Sequence, residues 1–415
     1  MAVTDDKYVR VFKVQEDGQL HELSQRCMPK RPCAIQVLPD NETILCGDKF
    51  GDVYSLPLLP EAVPSRDATA GALRESAQPE TIFKPSATAQ TVHSQRNLKA
   101  LKAQQEQKNF TPKKEPLAFE HKLLLGHVSM LTDMIFAKRK VHGKDRSCII
   151  TADRDEHIRI SRAPPQAHII EGFCLGHQHF VSKLCKVPRE NLVVSGGGDD
   201  WIGIWDWPSF TLRAKIDIKA ELKKQSLSDK VKSKVQDLDH IAISGLWVAP
   251  LKIGTEHLPR PCIMVACENI PVIVAIPIAK SRAREGPVVD EMVYCFELDA
   301  NPIDLANVGD HVVISLDARN VGQKRLQAFE LKAKRDSTGR AMGIEHAELD
   351  MFGIDQYEPL ESKLDKLNAV TGEEADEKKV DELLYGIEKM RKRAGHDDTG
   401  VDAPVGEGPV EQTGE

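Results

Sequence analysis

The stretch Leu175 to Trp207, LGHQHFVSKLCKVPRENLVVSGGGDDWIGIWDW, constrains the fold more than any other part of the chain. It opens on a Gly-His pair, closes on a Trp-Asp pair, and carries short apolar runs separated by turn residues. Gly126-His127 opens an earlier copy, at a spacing close to the roughly 40–45-residue period of four-stranded propeller blades. Repeated units of short alternating strands predict an all-β protein, built as a β-propeller.

Each good copy of the repeat carries polar residues that can form one hydrogen-bonded chain across neighbouring strands. When all its donors and acceptors are paired, such a network fixes the geometry of the turn and specifies the fold, so we interpret it as structural. Its predicted members are His127, Thr151 and Asp155 in the earlier copy and His177, Ser195, Asp199 and Trp205 in the later one.

Two chemical alternatives for these residues are weaker. Ser195, His177 and Asp199 have the residue types of a hydrolase triad, but no nucleophile elbow surrounds Ser195. His177 and His179 have no acid or thiol placed to complete a metal site, and none of the nine cysteines forms a CxxC pair. The sequence therefore predicts no catalytic residues and no metal site.

A second group of polar residues surrounds the same two turns without being needed by the network. We predict that this group binds a protein partner, with Trp201 as an aromatic anchor among charges. The alternative is that Trp201 covers the edge of its blade and the charges are solvated. The predicted partner-binding residues are Arg154, His157, Arg159, Asp200 and Trp201.

The rest of the chain divides by composition. We predict that residues 1–59 are propeller strands that begin in mid-blade at DKYVRVF, that 60–116 form a disordered basic insertion, and that 117–333 carry the main blades. We also predict that residues 334–394 are an extension with an amphipathic helix between Val380 and Arg393, and that 395–415 form a disordered tail. The basic residues that could contact RNA, or serve solvation or nuclear import instead, are Lys99, Lys102, Lys113, Lys114, Arg391, Lys392 and Arg393.

The overall composition argues against several classes of protein. A net charge of −7 means that any contact with nucleic acid must use local basic patches. The N-terminus lacks the apolar core of a signal peptide, and no apolar run approaches the roughly 18 residues needed to span a membrane. We expect no membrane association and an intracellular protein, located in the nucleus with the cytoplasm as a second site.

Four segments together resemble one family: LLLGHVSMLTD, ITADRDEHIRIS, FCLGHQHFVS and SGGGDDWIGIWDW. They are similar to the WD-repeat, non-catalytic subunit of the eukaryotic tRNA (guanine-N7-)-methyltransferase. The resemblance is close between Leu123 and Trp207 and looser elsewhere. It implies a seven-bladed propeller, with about one more blade's worth of strands before DKYVRVF.

The resemblance also implies a function. The propeller would bind and stabilise a catalytic subunit that uses S-adenosylmethionine, and the heterodimer would methylate a guanine in the tRNA variable loop. This chain would need no cofactor itself. Arg159 and Trp201 match the family's partner-binding positions, so Arg159→Glu is expected to weaken the complex without disturbing the fold. The alternative function is a general scaffold in chromatin, repair or ubiquitin ligase assemblies.

Overall fold

The structure is a computed structural model of the 415-residue chain. It describes residues 2–3, 6–15, 19–60, 119–141, 144–252, 259–279, 288–289, 293–319, 323–333, 349–353, 364–369 and 377–392. The predicted insertion (60–116) and the predicted tail (395–415) lie outside these ranges, apart from residue 60. Lys99, Lys102, Lys113, Lys114 and Arg393 lie outside them as well.

The described residues form six consecutive antiparallel units, which we number blades 1 to 6. Blade 1 contains β1 (Ala2–Val3), β2 (Tyr8–Val14) and β3 (Leu20–Cys27). Blade 2 contains β4 (Pro32–Val37), β5 (Thr43–Asp48), β6 (Asp52–Pro57) and β7 (Lys122–Gly126). Blade 3 contains β8 (Leu131–Val141), β9 (Lys144–Asp153), β10 (Ile158–Arg162) and β11 (Ile170–Cys174).

Blades 4 to 6 continue the same order along the chain. Blade 4 contains β12 (Val181–Lys186), β13 (Leu192–Gly197), β14 (Trp201–Asp206) and β15 (Thr211–Asp217). Blade 5 contains β16 (Ile243–Lys252), β17 (Arg260–Cys267), β18 (Val272–Ala279), β19 (Val288–Val289) and β20 (Tyr294–Glu297). Blade 6 contains β21 (Pro302–Val308), β22 (His311–Leu316), β23 (Leu326–Ala333) and β24 (Leu349–Gly353).

These sheets confirm the predicted β-propeller architecture. The described residues supply six blades, and the seventh that the resemblance implies is not formed by them. DKYVRVF lies in the second strand of a three-stranded sheet, so the expectation that no strand precedes it was wrong: β1 pairs with β2 through Val3 and Val9. Blades 5 and 6 share one nine-stranded sheet, because β16 and β23 pair in parallel at Leu251 and Leu331.

The cores lie between neighbouring blades, since each sheet buries both of its faces. Between blades 3 and 4, Ile150 and Ile160 pack with Leu184, Val193 and Trp205. The middle strands β13 and β14 are buried along almost their whole length, which explains why they are continuous apolar runs with small glycines. Burial on both faces places the functional residues in the turns that join the strands.

Two short helices connect blades 4 and 5. The first, α1 (Ile218–Lys224), begins where the Asp217 side chain accepts the backbone N–H of Ala220 at 2.8 Å. The second is α2 (Asp229–Asp237). Their apolar sides bury Leu222 and Val231 against the core shared by blades 4 and 5.

Residues 377–392, which we call the strap, end the described chain. The sequence predicted one helix here, but the structure divides it into α3 (Glu377–Leu384) and a single 3-10 turn (Ile387–Met390). The break falls at Tyr385 and Gly386. Glycine is a poor helix former, and the backbone N–H groups after it bond to another part of the protein instead of continuing the helix.

Candidate partner-binding face

The predicted network in blade 4 is present. His177 Nδ1 donates to Asp199 at 2.7 Å, and His177 Nε2 lies 2.7 Å from the Ser195 hydroxyl, which also accepts the indole N–H of Trp205 at 2.7 Å. Burial acts to raise the pKa of Asp199, but the His177 hydrogen bond and backbone N–H groups outweigh it, and the pKa lies below its ordinary value. Ser195 is fully buried, so no substrate can reach its hydroxyl and the hydrolase alternative fails.

The network in blade 3 uses a different acid from the one predicted. His127 Nδ1 lies 3.3 Å from Asp153, and His127 Nε2 lies 2.8 Å from the Thr151 hydroxyl. Asp153 also accepts the backbone N–H groups of Asp155 and His157. The assignment of Asp155 to the network was wrong. It followed from matching this turn to that of blade 4 position by position, whereas the carboxylate that reaches the imidazole lies two residues earlier.

Arg159 is only 8% exposed, and it is used inside blade 3. Its Nε donates to Ser161 at 3.0 Å and its Nη1 donates to the Gly126 carbonyl at 2.8 Å. Ser161 stands where blade 4 has Trp205, and its hydroxyl accepts a hydrogen bond from Arg159. We therefore expect Arg159→Glu to disturb the fold, contrary to the expectation from the sequence, because the new carboxylate would be buried.

Trp201 is 6% exposed and covers the blade 4 network. Its indole lies flat on the His177 imidazole, with ring centroids 4.3 Å apart and planes inclined by 2°. Lys215 Nζ lies over the indole at 4.2 Å, a cation–π contact. The structure thus supports the alternative, in which Trp201 covers the blade edge, rather than an exposed aromatic anchor.

Asp200 is also hydrogen-bonded within the chain. Its backbone adopts a left-handed conformation, with φ of 62°. Its carboxylate accepts the backbone N–H of Ile241 at 2.6 Å and the ring N–H of His240 at 2.8 Å. These bonds hold the helical connection against the start of blade 5. Both oxygens of the Asp200 carboxylate are therefore already bonded within the chain.

Of the predicted partner-binding residues, His157 is the one that presents its side chain to solvent. The imidazole is 48% exposed and meets Phe173 edge-on, with ring centroids 6.0 Å apart. Phe173 is 38% exposed and Leu175 is 65% exposed. Because Ile158 pairs with Cys174, the adjacent His157 and Leu175 stand opposite each other. We call His157, Phe173 and Leu175 the blade 3 patch. Phe173 and Leu175 were not among the predicted residues, because the sequence marks them only as apolar residues on either side of a buried cysteine.

The strap crosses the end of the propeller that carries turns 154–157, 198–200 and 268–271, which we call the turn face. On blade 6, the Tyr385 hydroxyl donates to Asp317 at 2.5 Å, and Arg319 pairs with Asp381 at 2.7 Å. Burial, followed by the bond to Asp317, raises the pKa of Tyr385 to about 12, so the hydroxyl remains a donor. On blade 5, Glu268 accepts the backbone N–H groups of three strap residues, Gly386, Ile387 and Glu388.

The strap then reaches blades 4 and 3. Arg391 donates to the Gly198 carbonyl at 2.7 Å, and Arg154 Nε donates to the Met390 carbonyl at 3.0 Å. Lys392 pairs with Asp155 and with Glu156, each at 3.0 Å. The predicted RNA residues Arg391 and Lys392 are therefore engaged within the chain, and Arg154 holds the strap. Asp155, wrongly placed in the network, is the residue that anchors the last ion pair.

All nine cysteines are free thiols. Within the described ranges, no group of three or more His, Cys, Asp or Glu side chains is arranged to hold a metal ion. In the same part of the chain, no helix is long and apolar enough to cross a membrane.

Residues 1–337 match the family model described as the tRNA methyltransferase TRM82 WD40 domain. The chain belongs to the TRM82 family. The match covers all six described blades except the end of blade 6, so the family resemblance extends well beyond the two copies that first indicated it.

Curated relatives align with this TRM82 family chain over most of its length, and the alignments leave part of each relative uncovered. It is 40% identical to a protein of Coccidioides immitis over 96% of this chain and 76% of the relative. It is 41% identical to a protein of Phaeosphaeria nodorum over 95% of this chain and 80% of the relative. A protein of Saccharomyces cerevisiae is 28% identical over 75% of this chain and 56% of the relative. All three are named tRNA (guanine-N(7)-)-methyltransferase non-catalytic subunit TRM82.

Proposed function

We propose that this chain is the non-catalytic subunit of a tRNA guanine-N7 methyltransferase. It binds and stabilises a catalytic subunit, and the complex forms N7-methylguanine in the tRNA variable loop. S-adenosylmethionine binds to the catalytic subunit, and this chain needs no cofactor of its own. Identity of about 40% with subunits of that name, over nearly the whole chain, is the observation that carries the proposal.

The chemistry of the described blades supports a binding role. The Ser-His-Asp set is sealed inside blade 4, and its acid and hydroxyl hold a turn in place. Most polar residues in the turns at 154–157 and 198–200 also form hydrogen bonds or ion pairs within the chain. A propeller of this kind offers a rigid surface to a partner, and chemistry is left to the other subunit.

The blade 3 patch is the place where we propose that the catalytic subunit docks. His157, Phe173 and Leu175 combine an aromatic ring, an aliphatic side chain and an imidazole, all partly open to solvent. Aromatic and apolar side chains ringed by polar groups are typical of interface centres. The polar rim is supplied by Asp155 and Glu156 on the adjoining turn and by Lys392 of the strap, which pairs with both. Arg159, buried beneath the patch, positions β10 instead of contacting the partner directly.

The test is co-expression of this chain with the guanine-N7 methyltransferase of the same organism. We expect the two chains to co-purify, the complex to transfer methyl groups from labelled S-adenosylmethionine to tRNA, and this chain alone to transfer none. The catalytic subunit without this chain should be less active or less stable. Recovery of other assemblies in place of the methyltransferase would contradict the proposal and favour the general scaffold.

Location is a separate part of the proposal. We propose that the complex acts in the nucleus, with the cytoplasm as a second location, because the sequence carries basic segments suited to nuclear import. Imaging of a fluorescently tagged full chain tests this, and exclusion of the signal from the nucleus would contradict it.

A further inference from the structure

A second surface lies at the end of the propeller opposite the turn face. The hairpin of β8 and β9 starts at Leu131, beside the turn face, and β8 runs for 11 residues to Val141. At about 3.3 Å per residue, the far end of this hairpin is roughly 33 Å from Leu131. The described residues of this end, 138–141 and 144–146, therefore lie at the opposite end of blade 3 from the turn face and the strap.

The core of this surface is one buried carboxylate surrounded by three arginines. The side chain of Glu171 is 7% exposed, and it pairs with Arg139, with Arg146 at 2.9 Å and with Arg162 at 2.7 Å. Arg139 and Arg146 stand directly opposite each other in the β8–β9 ladder. Like charges at such positions repel each other, so the hairpin relies on Glu171 between them. One negative charge holds three guanidinium groups in fixed positions.

Lysines extend the positive charge beyond the arginines. Lys138, Lys140 and Lys144 are exposed, and alternation along β8 places the first two on the side away from Arg139. With the three arginines, they make six cations against two carboxylates, Asp145 and Glu171. This surface thus has an excess of four positive charges in a chain whose net charge is −7.

A positive surface of this kind attracts polyanions. Arg146 and Arg162 keep 39% and 30% of their side chains open to solvent, although both are fixed by Glu171. Guanidinium groups held in this manner bind phosphate with little further loss of conformational freedom, and the exposed lysines at the same end of the hairpin add further positive charge. The Arg162 guanidinium is also held by Gln166 at 2.8 Å, which limits its movement.

We propose that this basic surface, formed by Lys138, Arg139, Lys140, Lys144, Arg146 and Arg162, binds the phosphate backbone of the tRNA substrate. The inference rests on the proposed function, which supplies the RNA. It assigns to the non-catalytic subunit a direct, sequence-independent contact with the substrate. An acidic protein segment is the other class of ligand that the charge would fit, and the experiment separates the two.

The experiment uses the purified complex of this chain with its catalytic subunit. The variant carries Lys138→Ser, Lys140→Ser and Lys144→Ser, which leaves the three arginines and Glu171 untouched. The control carries Lys13→Ser, Lys223→Ser and Lys230→Ser, three exposed lysines elsewhere. Dissociation constants for tRNA are measured over a range of salt concentrations, together with kcat and KM.

We expect the variant to bind tRNA roughly tenfold more weakly. The slope of log affinity against log salt should become shallower by about 2, since each lost phosphate contact removes about 0.7–0.9. KM for tRNA should rise with kcat unchanged, and the control should match the wild type. Unchanged affinity and slope in an intact complex would overturn the inference. Loss of the catalytic subunit from this variant alone would overturn it too, in favour of an acidic protein ligand. Failure of the wild-type chains to associate would instead refute the proposed function.

Discussion

The indole of Trp201 lies parallel to the imidazole of His177, with the ring centroids 4.3 Å apart. The indole thereby shields the hydrogen-bonded chain from Asp199 to Trp205 from water, which strengthens each bond in it. We expect Trp201→Ala to lower the free energy of unfolding by about 3–5 kcal/mol, and Trp201→Phe to lower it by less, because a ring still covers the imidazole. Urea denaturation measures both. If Trp201→Ala left stability unchanged but abolished binding of the catalytic subunit, Trp201 would be the exposed anchor that the sequence predicted.

Asp153 and Asp155 provide a direct comparison within one turn. Asp153 is bonded to His127 and to two backbone N–H groups, whereas Asp155 pairs only with Lys392 at the surface. We expect Asp153→Asn to lower the free energy of unfolding by about 1–3 kcal/mol, because an amide nitrogen would face buried donors. Asp155→Asn should stay within about 0.5 kcal/mol of the wild type. Equal losses of stability in the two variants would contradict this assignment.

Acid should weaken the two networks in a defined direction. The pKa values of Asp153 and Asp199 are both held below the ordinary value, since hydrogen bonds from His127 and His177 outweigh the effect of burial. A lowered pKa means that the carboxylates stabilise the fold fully above the unfolded-state pKa of about 4, and that this contribution is lost as pH falls through the folded-state values. Unfolding measured at pH 7, 5, 4 and 3 should therefore show a loss of stability concentrated below about pH 4. The Asp153→Asn, Asp199→Asn double variant should lose less stability over the same range.

Glu268 should control how firmly the strap is attached. Its buried carboxylate accepts the N–H groups of Gly386, Ile387 and Glu388. Glu268→Gln replaces one acceptor oxygen by a donor. We therefore expect amide hydrogens in residues 386–392 to exchange at least about tenfold faster, which corresponds to a decrease of about 1.4 kcal/mol in the free energy of local opening. Hydrogen exchange with mass spectrometry measures this, with exposed Glu42→Gln as the control. Unchanged exchange in the strap would mean that its other contacts suffice.

Leu175 is the position at which a substitution tests the partner interface most directly. Leu175→Asp places a charge in the blade 3 patch without filling or emptying a core, since the side chain is already mostly exposed. We expect it to weaken association with the catalytic subunit by at least about tenfold, while Leu212→Asp on the outer strand of blade 4 has no such effect. Dissociation constants from surface binding assays provide the comparison, and circular dichroism checks the fold. Equal affinities for the two variants would place the interface elsewhere. Arg159→Glu is unsuitable for this test because its failure could reflect a damaged blade.

The sequence by itself determined the architecture. Alternating apolar residues, turn residues and a recurring His, Ser or Thr, and Asp indicated propeller blades, because strand periodicity and turn chemistry are local properties. The blade 4 network was predicted in full for the same reason, since all four residues stand at regular positions of one complete copy. The family resemblance was also carried by short local segments, and it pointed to the relatives that most of the chain matches.

Tertiary structure alone decided which side chains remain available to other molecules. The turn of blade 3 differs from that of blade 4 in which carboxylate faces the histidine, and matching the two turns by position could not reveal this. Burial of Arg159 and Trp201 depends on neighbouring strands, and Arg391 and Lys392 are engaged because residues more than 190 positions away meet them across the turn face. Hydrogen bonding and burial are set by such distant contacts, whereas the sequence pattern reports only on neighbours along the chain. The stretch from Leu175 to Trp207 thus specified a blade, and packing against blade 3 and the strap decided which of its residues a partner can reach.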